Sequence, residues 1–301
     1  MSTRGVLYVS TGPEHTREAL RSIRRVKSVA PSVPVSLATD RDVDETLLDT
    51  VLPIDDPNYS IEDKVKNLLR TPYDRTLYLD SDTYVVQGDA IRDLFDLLDG
   101  FALAVSHDPF RRLEQGHEAP NEELPTVPVP DSFAWFNTGV IAFERTERVE
   151  AAFAEWREAV KRHAETMAKP MDQASFQRIV FEGDVRVAVL PPEYNYQVYY
   201  PRTLVDEPKV LHGHARNLPE IATHLTSLKT GDDRRSYPER LRFATIEGDG
   251  YTRLLPLRLG PWRARYERLK FSLERRGVRR TVRGLLKVPF GKEFWRSNRA
   301  E

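Results

Sequence analysis

The chain has 301 residues, 40% hydrophobic and 30% charged, with a formal net charge of −1. That is enough for one large α/β domain or two modest ones around a sizeable core. Cysteine is absent, which excludes disulfides and thiolate metal sites and leaves oxygen and imidazole as metal ligands. No apolar run approaches the ~20 residues that cross a bilayer. The opening MSTRGVLYVSTG lacks a basic region followed by a long apolar stretch, so a cytoplasmic location is expected.

In chain order, Gly5 to Val9 reads as a strand, and Glu14 to Ala30 as a helix with Ala19, Ile23, Val26 and Ala30 at helical spacing. Val33 to Ala38 is a second strand, Ile61 to Leu69 a helix, and Arg75 to Leu79 a strand running into Asp80. A helix at Ile91 to Leu98 and a strand at Phe101 to Val105 come next. Residues 107–132, with Pro120, Pro125, Pro128 and Pro130, form a long polar stretch of the kind that is usually functional or mobile. Gly139 to Phe143 reads as a strand. Thr146 is placed to cap a helix carrying Val149, Phe153, Trp156 and Val160 on one face. A helix starting near Met171 and strands at Val185 to Leu190 and Lys209 to Leu211 complete an α/β fold with a mostly parallel sheet and helices on both faces.

Asp80-Ser81-Asp82 puts two carboxylates at the carboxyl end of a buried strand, the edge where open α/β sheets bind ligands. Residues one apart cannot share a face of a regular strand, but they converge once the strand has ended in a turn. Two hard oxygen ligands suit Mn²⁺ or Mg²⁺. Alone, an acidic pair of this kind often just caps a turn.

Three segments come after it in fixed order: Phe136-Asn137-Thr138-Gly139-Val140, then Met171-Asp172-Gln173, then Val210-Leu211-His212-Gly213-His214. With the aspartates they resemble the retaining glycosyltransferases of family 8, the glycogenin and bacterial lipopolysaccharide galactosyltransferase group, over roughly residues 5 to 216. The resemblance implies a GT-A fold, a nucleotide-diphosphate sugar donor, most simply a UDP-sugar, and metal ligands Asp80, Asp82 and His212. It further implies Lys64 near the donor phosphate and sugar, Asp108 and Asn137 at the donor sugar, Asp172 and Gln173 beneath the anomeric carbon, and Thr11 at the nucleoside. Two departures stand out. Ala215 and Leu218 occupy positions where a glycine and a lysine are common, leaving Arg216 as a substitute diphosphate clamp, and Ser10-Thr11-Gly12-Pro13 lacks the usual acid and aromatic. Read without the resemblance, Asn137-Thr138-Gly139 is a tight turn, Asp172 a dipole-favoured helix start, His212 or His214 a surface histidine, and Lys64 a solvated lysine.

Residues 251–301 hold 15 basic and 4 acidic side chains, a net +11, whereas residues 1–250 hold 30 basic and 42 acidic ones. We therefore expect a transferase domain over 1–250 and a separate basic region beyond it. There Trp262, Tyr266, Leu269, Leu273, Val278, Val282 and Leu285 recur at helical spacing, with a break at Gly277. This is the pattern of an amphipathic helix on an anionic membrane, with packing onto the domain or a basic arm for nucleic acid as alternatives. A peripheral protein acting on a glycan or lipid-linked acceptor, with no nucleic-acid partner, is expected. A sugar nucleotidyltransferase would need a glycine-rich loop that Thr11-Gly12-Pro13-Glu14 does not provide, whereas a non-catalytic membrane protein retaining the fold is the competing reading.

Overall fold

The elements, in chain order, begin with β1 (Arg4–Ser10), α1 (Pro13–Val29), β2 (Val35–Thr39), β3 (Thr50–Pro53), α2 (Ile61–Asn67), β4 (Arg75–Leu79), β5 (Thr83–Val85), α3 (Asp89–Leu97) and β6 (Leu103–His107). They continue with β7 (Phe136–Glu144), α4 (Glu147–Thr166), α5 (Gln173–Glu182), β8 (Val187–Leu190), β9 (Tyr196–Gln197), β10 (Thr203–Leu204), β11 (Val210–His212), α6 (Leu218–Ser227), β12 (Leu241–Gly248) and β13 (Tyr251–Pro256). This computed structural model describes residues 2–43, 45–108, 129–130, 132–166, 172–199, 203–204, 206–227, 241–248, 250–256 and, within 266–274, all but 268 and 272.

Seven strands form the main sheet in the order β3-β2-β1-β4-β7-β6-β8. All run parallel except β7, which is antiparallel to β4 and β6 on either side. Strand alternation sorts the apolar residues into two layers. Val6, Tyr8, Leu77 and Leu79 meet α1 through Ala19, Ile23 and Val26, and α3 through Ile91 and Leu94. Leu7, Val9, Tyr78, Ile141 and Phe143 meet α2, α4 and α5 through Val65, Phe153, Trp156 and Phe176. Local chemistry sets the helix starts. Pro13 opens α1 after Gly12 at φ 79°, the Ser60 hydroxyl accepts from Glu62 N at 3.2 Å, and the Thr146 hydroxyl accepts from Val149 N at 3.3 Å.

A smaller sheet, β5-β11-β9, sits at the carboxyl end of β4. Tyr196, Val198, Leu211, Ala215, Leu218, Ile221 and Leu225 make its core. The hairpin β12–β13 is tied to the loop before α6: Arg216 N donates to Gly250 O at 2.7 Å, and Asn217 exchanges two hydrogen bonds with the Thr252 backbone at 2.8 and 2.9 Å. The charge-based division at 250 therefore falls on the turn of this hairpin, and residues 251–256 pack with the preceding unit.

The expected helices and main-sheet strands form within a few residues of their predicted bounds. β3, β5, β9 and β10, two to four residues long and without a readable period, were not anticipated, and neither were α6, β12 and β13, which follow the last expected strand. Asn137-Thr138-Gly139 lies inside β7 rather than forming a turn ahead of it, which corrects the turn reading. No helix among the described residues is long and apolar enough to cross a membrane. Tyr266, Leu269 and Leu273 are helical and exposed while Phe271 is buried; Trp262, Gly277, Val278, Val282 and Leu285, like Met171 and most of the 107–132 stretch, lie outside the described residues.

Trp156 ties this scaffold to the start of α5, for its indole is fully buried against Phe153 and Phe176 and donates to Asp172 O at 2.9 Å. Trp156→Ala should lower unfolding stability by about 3–5 kcal/mol, measured by urea denaturation. Trp156→Phe, which keeps much of the packing and loses the hydrogen bond, should cost about 1–3 kcal/mol.

Candidate active site

β4 ends at Leu79, and the chain turns at once: Thr83 N donates to Asp80 O at 3.2 Å and the Thr83 hydroxyl to the same oxygen at 2.8 Å. This turn frees Asp80 and Asp82 from strand alternation and lets both carboxylates face one point. The third member arrives through strand pairing. β11 runs antiparallel to β5 with His212 opposite Thr83, and Gly213 N donates to Asp82 O at 3.0 Å. His212 Nε2 thereby lies 3.3 Å from Asp82 Oδ1 and 3.6 Å from Asp80 Oδ2.

One ligand atom from each of Asp80, Asp82 and His212 lies within 4.8 Å of the others. The His212 ring is oriented from behind, with Nδ1 2.9 Å from Asn195 Oδ1; this arrangement puts the proton on Nδ1 and leaves the Nε2 lone pair facing the carboxylates. Asn195 is itself fixed, donating to Asn137 Oδ1 at 2.7 Å. Gly139 leaves room for the ring: a Cβ there would strike the imidazole, 2.7 Å from Nδ1, and stand 3.0 Å from Asp80 Oδ2. Two carboxylates and an oriented imidazole around a space kept clear by a glycine fit a divalent cation with oxygen and nitrogen preferences. Burial disfavours an imidazolium at His212, but Asp82 and Asp80 outweigh it and raise its pKa; burial likewise opposes ionisation of Asp82, yet His212 and His214 hold its carboxyl below the usual range.

Lys64 lies beside this group rather than in solvent. It is 6% exposed, with Nζ 3.2 Å from Asp80 Oδ1, 3.1 Å from Asp172 Oδ2 and 2.9 Å from the Thr138 hydroxyl, to which it donates. Burial works against its charge, but Asp172 and Asp80 more than compensate and raise its pKa. Asp172 precedes α5 and makes no side-chain cap; its carboxylate accepts from Thr138 Oγ1 at 2.6 Å instead. Lys64 is thus buried and not solvated, and Asp172, which does stand at the start of α5, turns its carboxylate to Lys64 and Thr138. Tyr78 OH completes the group, donating to Asp80 Oδ1 at 2.6 Å.

A second polar cluster adjoins it through β7. Asn137 Nδ2 donates to Asp108 Oδ2 at 3.2 Å, and the Gln173 amide, oriented with its nitrogen toward Asp108 (3.3 Å), accepts from Asn137 at 3.1 Å. The register of β6 against β7 shifts between Val105 and Ser106, so that Thr138 to Val140 bulge out of that ladder just after Asn137.

The sequence therefore marked Asp80, Asp82, His212, Lys64, Asp172, Asp108, Asn137 and Gln173, and the fold brings them to one place. Thr11 is buried nearby, its hydroxyl donating to Asp63 Oδ2 at 2.8 Å. Arg216 is exposed and, among the described residues, its guanidinium makes no hydrogen bond or ion pair; Leu218 packs into the small core where a lysine was looked for. His214 is not equivalent to His212: its Nδ1 lies 3.1 Å from Glu18 Oε2 and 3.6 Å from Asp82 Oδ2, and the Glu18 bond lifts its pKa to about 9. Asn195, Thr138 and Glu18 were missed because each works through a partner distant in sequence, and Tyr78, two residues before Asp80, because an aromatic in a buried strand reads as core.

Gly139→Ala should fold but push the His212 ring aside, weakening Mn²⁺ binding at least ~10-fold by calorimetry. Unchanged affinity would show that His212 is not part of the cation site.

The fold has counterparts among known proteins. The model of glycosyl transferase family 8 matches residues 64–215, half of the chain, from Lys64 to just past His214. An active-site mutant of the galactosyltransferase LgtC has a similar fold at TM-score 0.51 and 16% identity, covering 76% of this chain and 98% of that one. The apo form of the glycosyltransferase GlyE of Streptococcus pneumoniae TIGR4 matches at TM-score 0.51 and 16% identity, over 75% of this chain and 60% of that one. No curated protein matches. With an α/β sheet of this topology and the family's span reaching from the buried lysine to the histidine, the chain belongs to glycosyl transferase family 8 and is a glycosyltransferase of the GT-A fold.

Proposed function

We propose that the enzyme moves a sugar from a nucleoside-diphosphate donor, most simply a UDP-sugar, in a reaction that depends on a divalent ion, Mn²⁺ or Mg²⁺, at Asp80, Asp82 and His212. The observation that carries this is the meeting of those three side chains beside the buried Lys64–Asp172 pair. A cation held there would offset the negative charge that develops on the departing diphosphate. The chain's own groups divide the rest of the work. Lys64 and Thr138 hold the Asp172 carboxylate at a defined position, so that it can face the positive character building at the anomeric carbon. Asp108, Asn137 and Gln173 form a mutually bonded set of donors and acceptors suited to sugar hydroxyls. Arg216, exposed after His212, is available to diphosphate oxygens. Transfer with retention of configuration belongs to the same proposal and is supported by the family. An assembled site favours turnover over the non-catalytic reading.

Asp80→Asn and Asp82→Asn should each abolish Mn²⁺-stimulated donor hydrolysis and transfer, while Asp172→Asn should retain Mn²⁺ binding and lower kcat on the order of 10²–10³-fold. Screening UDP-, GDP- and dTDP-sugars by thermal shift with Mn²⁺ identifies the donor, and the anomeric coupling constant of the first product reports the stereochemistry. If no nucleotide sugar binds or turns over with either ion, the donor reading fails.

The acceptor we propose is a glycan or lipid-linked sugar, reached by a peripheral protein on the inner face of the membrane. Its support is the +11 charge of residues 251–301 together with Tyr266, Leu269 and Leu273, exposed on helical segments at positions i, i+3 and i+7. Co-sedimentation with phosphatidylglycerol vesicles should be strong at low salt and drop sharply on deletion of residues 257–301. Equal sedimentation of the truncated protein would remove the membrane assignment.

A further inference from the structure

One polar side chain on the inner face of the small sheet is left unspent. β9 pairs with β11 in parallel, Tyr196 beside Leu211 and Gln197 beside His212, and Val198 N donates to His212 O at 3.0 Å to close the ladder. Residues paired across parallel strands point to the same face. Tyr196 and Leu211 both pack in the small core, so Gln197 shares the opposite face with His212, the face that looks onto Asp80 and Asp82. Gln197 is 6% exposed, yet its Nε2 has no hydrogen-bond partner among the described residues. A buried amide nitrogen left in that state is destabilising, and a leucine or methionine of similar size would pack there without the cost.

The place of this amide indicates what it meets. In the strand order β5-β11-β9, Asp82 leads into β5 on one side of His212, while Gln197 stands on the other, on the order of 5 Å away at one strand spacing. The neighbouring polar groups are committed to one another. Asn195 orients the imidazole and holds Asn137, Asn137 reaches Asp108, and Lys64 and Thr138 are taken up by Asp80 and Asp172. With a cation and a diphosphate on the aspartate side, the flank at Gln197 is left for the second reactant, the molecule that receives the sugar. A carboxamide suits a hydroxyl there, for a half-turn about its last bond lets it offer either a donor or an acceptor.

We propose that Gln197 binds the acceptor, hydrogen-bonding a hydroxyl next to the one that takes the sugar, and so favours a polyhydroxylated acceptor over water. This rests on the sugar-transfer reading above. The test uses the full chain with Mn²⁺ and the nucleotide sugar it hydrolyses. Methyl and octyl glycosides of glucose, galactose and N-acetylglucosamine serve as acceptors, together with monodeoxy forms of whichever is glycosylated. Gln197→Leu and Gln197→Met should raise the acceptor KM roughly ten-fold, keep Mn²⁺ affinity and the rate of donor hydrolysis, and melt no lower than wild type. One monodeoxy acceptor should show a KM about ten-fold higher than its parent with wild type and equal to its parent with Gln197→Leu. Wild-type acceptor KM in both variants would overturn the assignment and leave the donor reading standing. A parallel loss of Mn²⁺ affinity would do the same, since it marks a group that only props His212, and so would hydrolysis with no transfer to any of the glycosides. A wild-type protein that hydrolyses no nucleotide sugar would bring down the sugar-transfer reading and this proposal with it.

Discussion

A ladder three residues long holds the site together. β11 pairs with β5 from Val210 opposite Val85 to His212 opposite Thr83, and this register carries an imidazole across some 130 residues of chain to the two aspartates after β4. Side chains alternate along a strand, so a slip of one residue would send His212 to the opposite face and leave Leu211 or Gly213 in its place. Leu211 anchors the correct register from the apolar side by packing with Tyr196 and Val198. Hydrophobic burial in a minor core thus decides the composition of a polar site in front of it.

Behind the ladder the site is built from buried polar groups that satisfy one another. Lys64 shares its charge between Asp80 and Asp172, Thr138 donates to Asp172, and Asn137 and Asn195 carry the hydrogen-bond chain from Asp108 to His212. Such a network is costly to assemble and costlier to break, because removing one partner strands the others without water. It therefore specifies geometry more than it adds stability. The acidic excess it leaves, Asp80, Asp82, Asp108 and Asp172 against Lys64, suits a cation between Asp80, Asp82 and His212.

The departures from the family pattern fall outside this network. Leu218 has joined the small core, and Arg216 packs beside Gly250 at the turn of the β12–β13 hairpin. Beside Ser10-Thr11-Gly12-Pro13, which offers neither acid nor aromatic, stand Asp40, bonded by Gly12 N, and Tyr59, bonded to Asp40. Chemistry at a sheet edge can be supplied from whichever loops reach it.

Periodicity along the chain was sufficient for the main helices, the buried strands and the α/β class, because burial of one face writes a period into the residues that bury it. The Asp80-Ser81-Asp82 pair and the order of the later motifs pointed to the chemistry for a similar reason: charged residues at strand ends are hard to explain by packing. What lay beyond the sequence was everything set by partners far apart in it. That Lys64 is buried and not solvated, that Asp172 faces a lysine and not its own helix, that His212 and not His214 is oriented by Asn195, and that Asn137 stands within a strand all depend on which segments the folded sheet makes neighbours. Short strands such as β5 and β11 carry no periodic signal of their own, and only their pairing in the tertiary structure brings the scattered ligands into one shell.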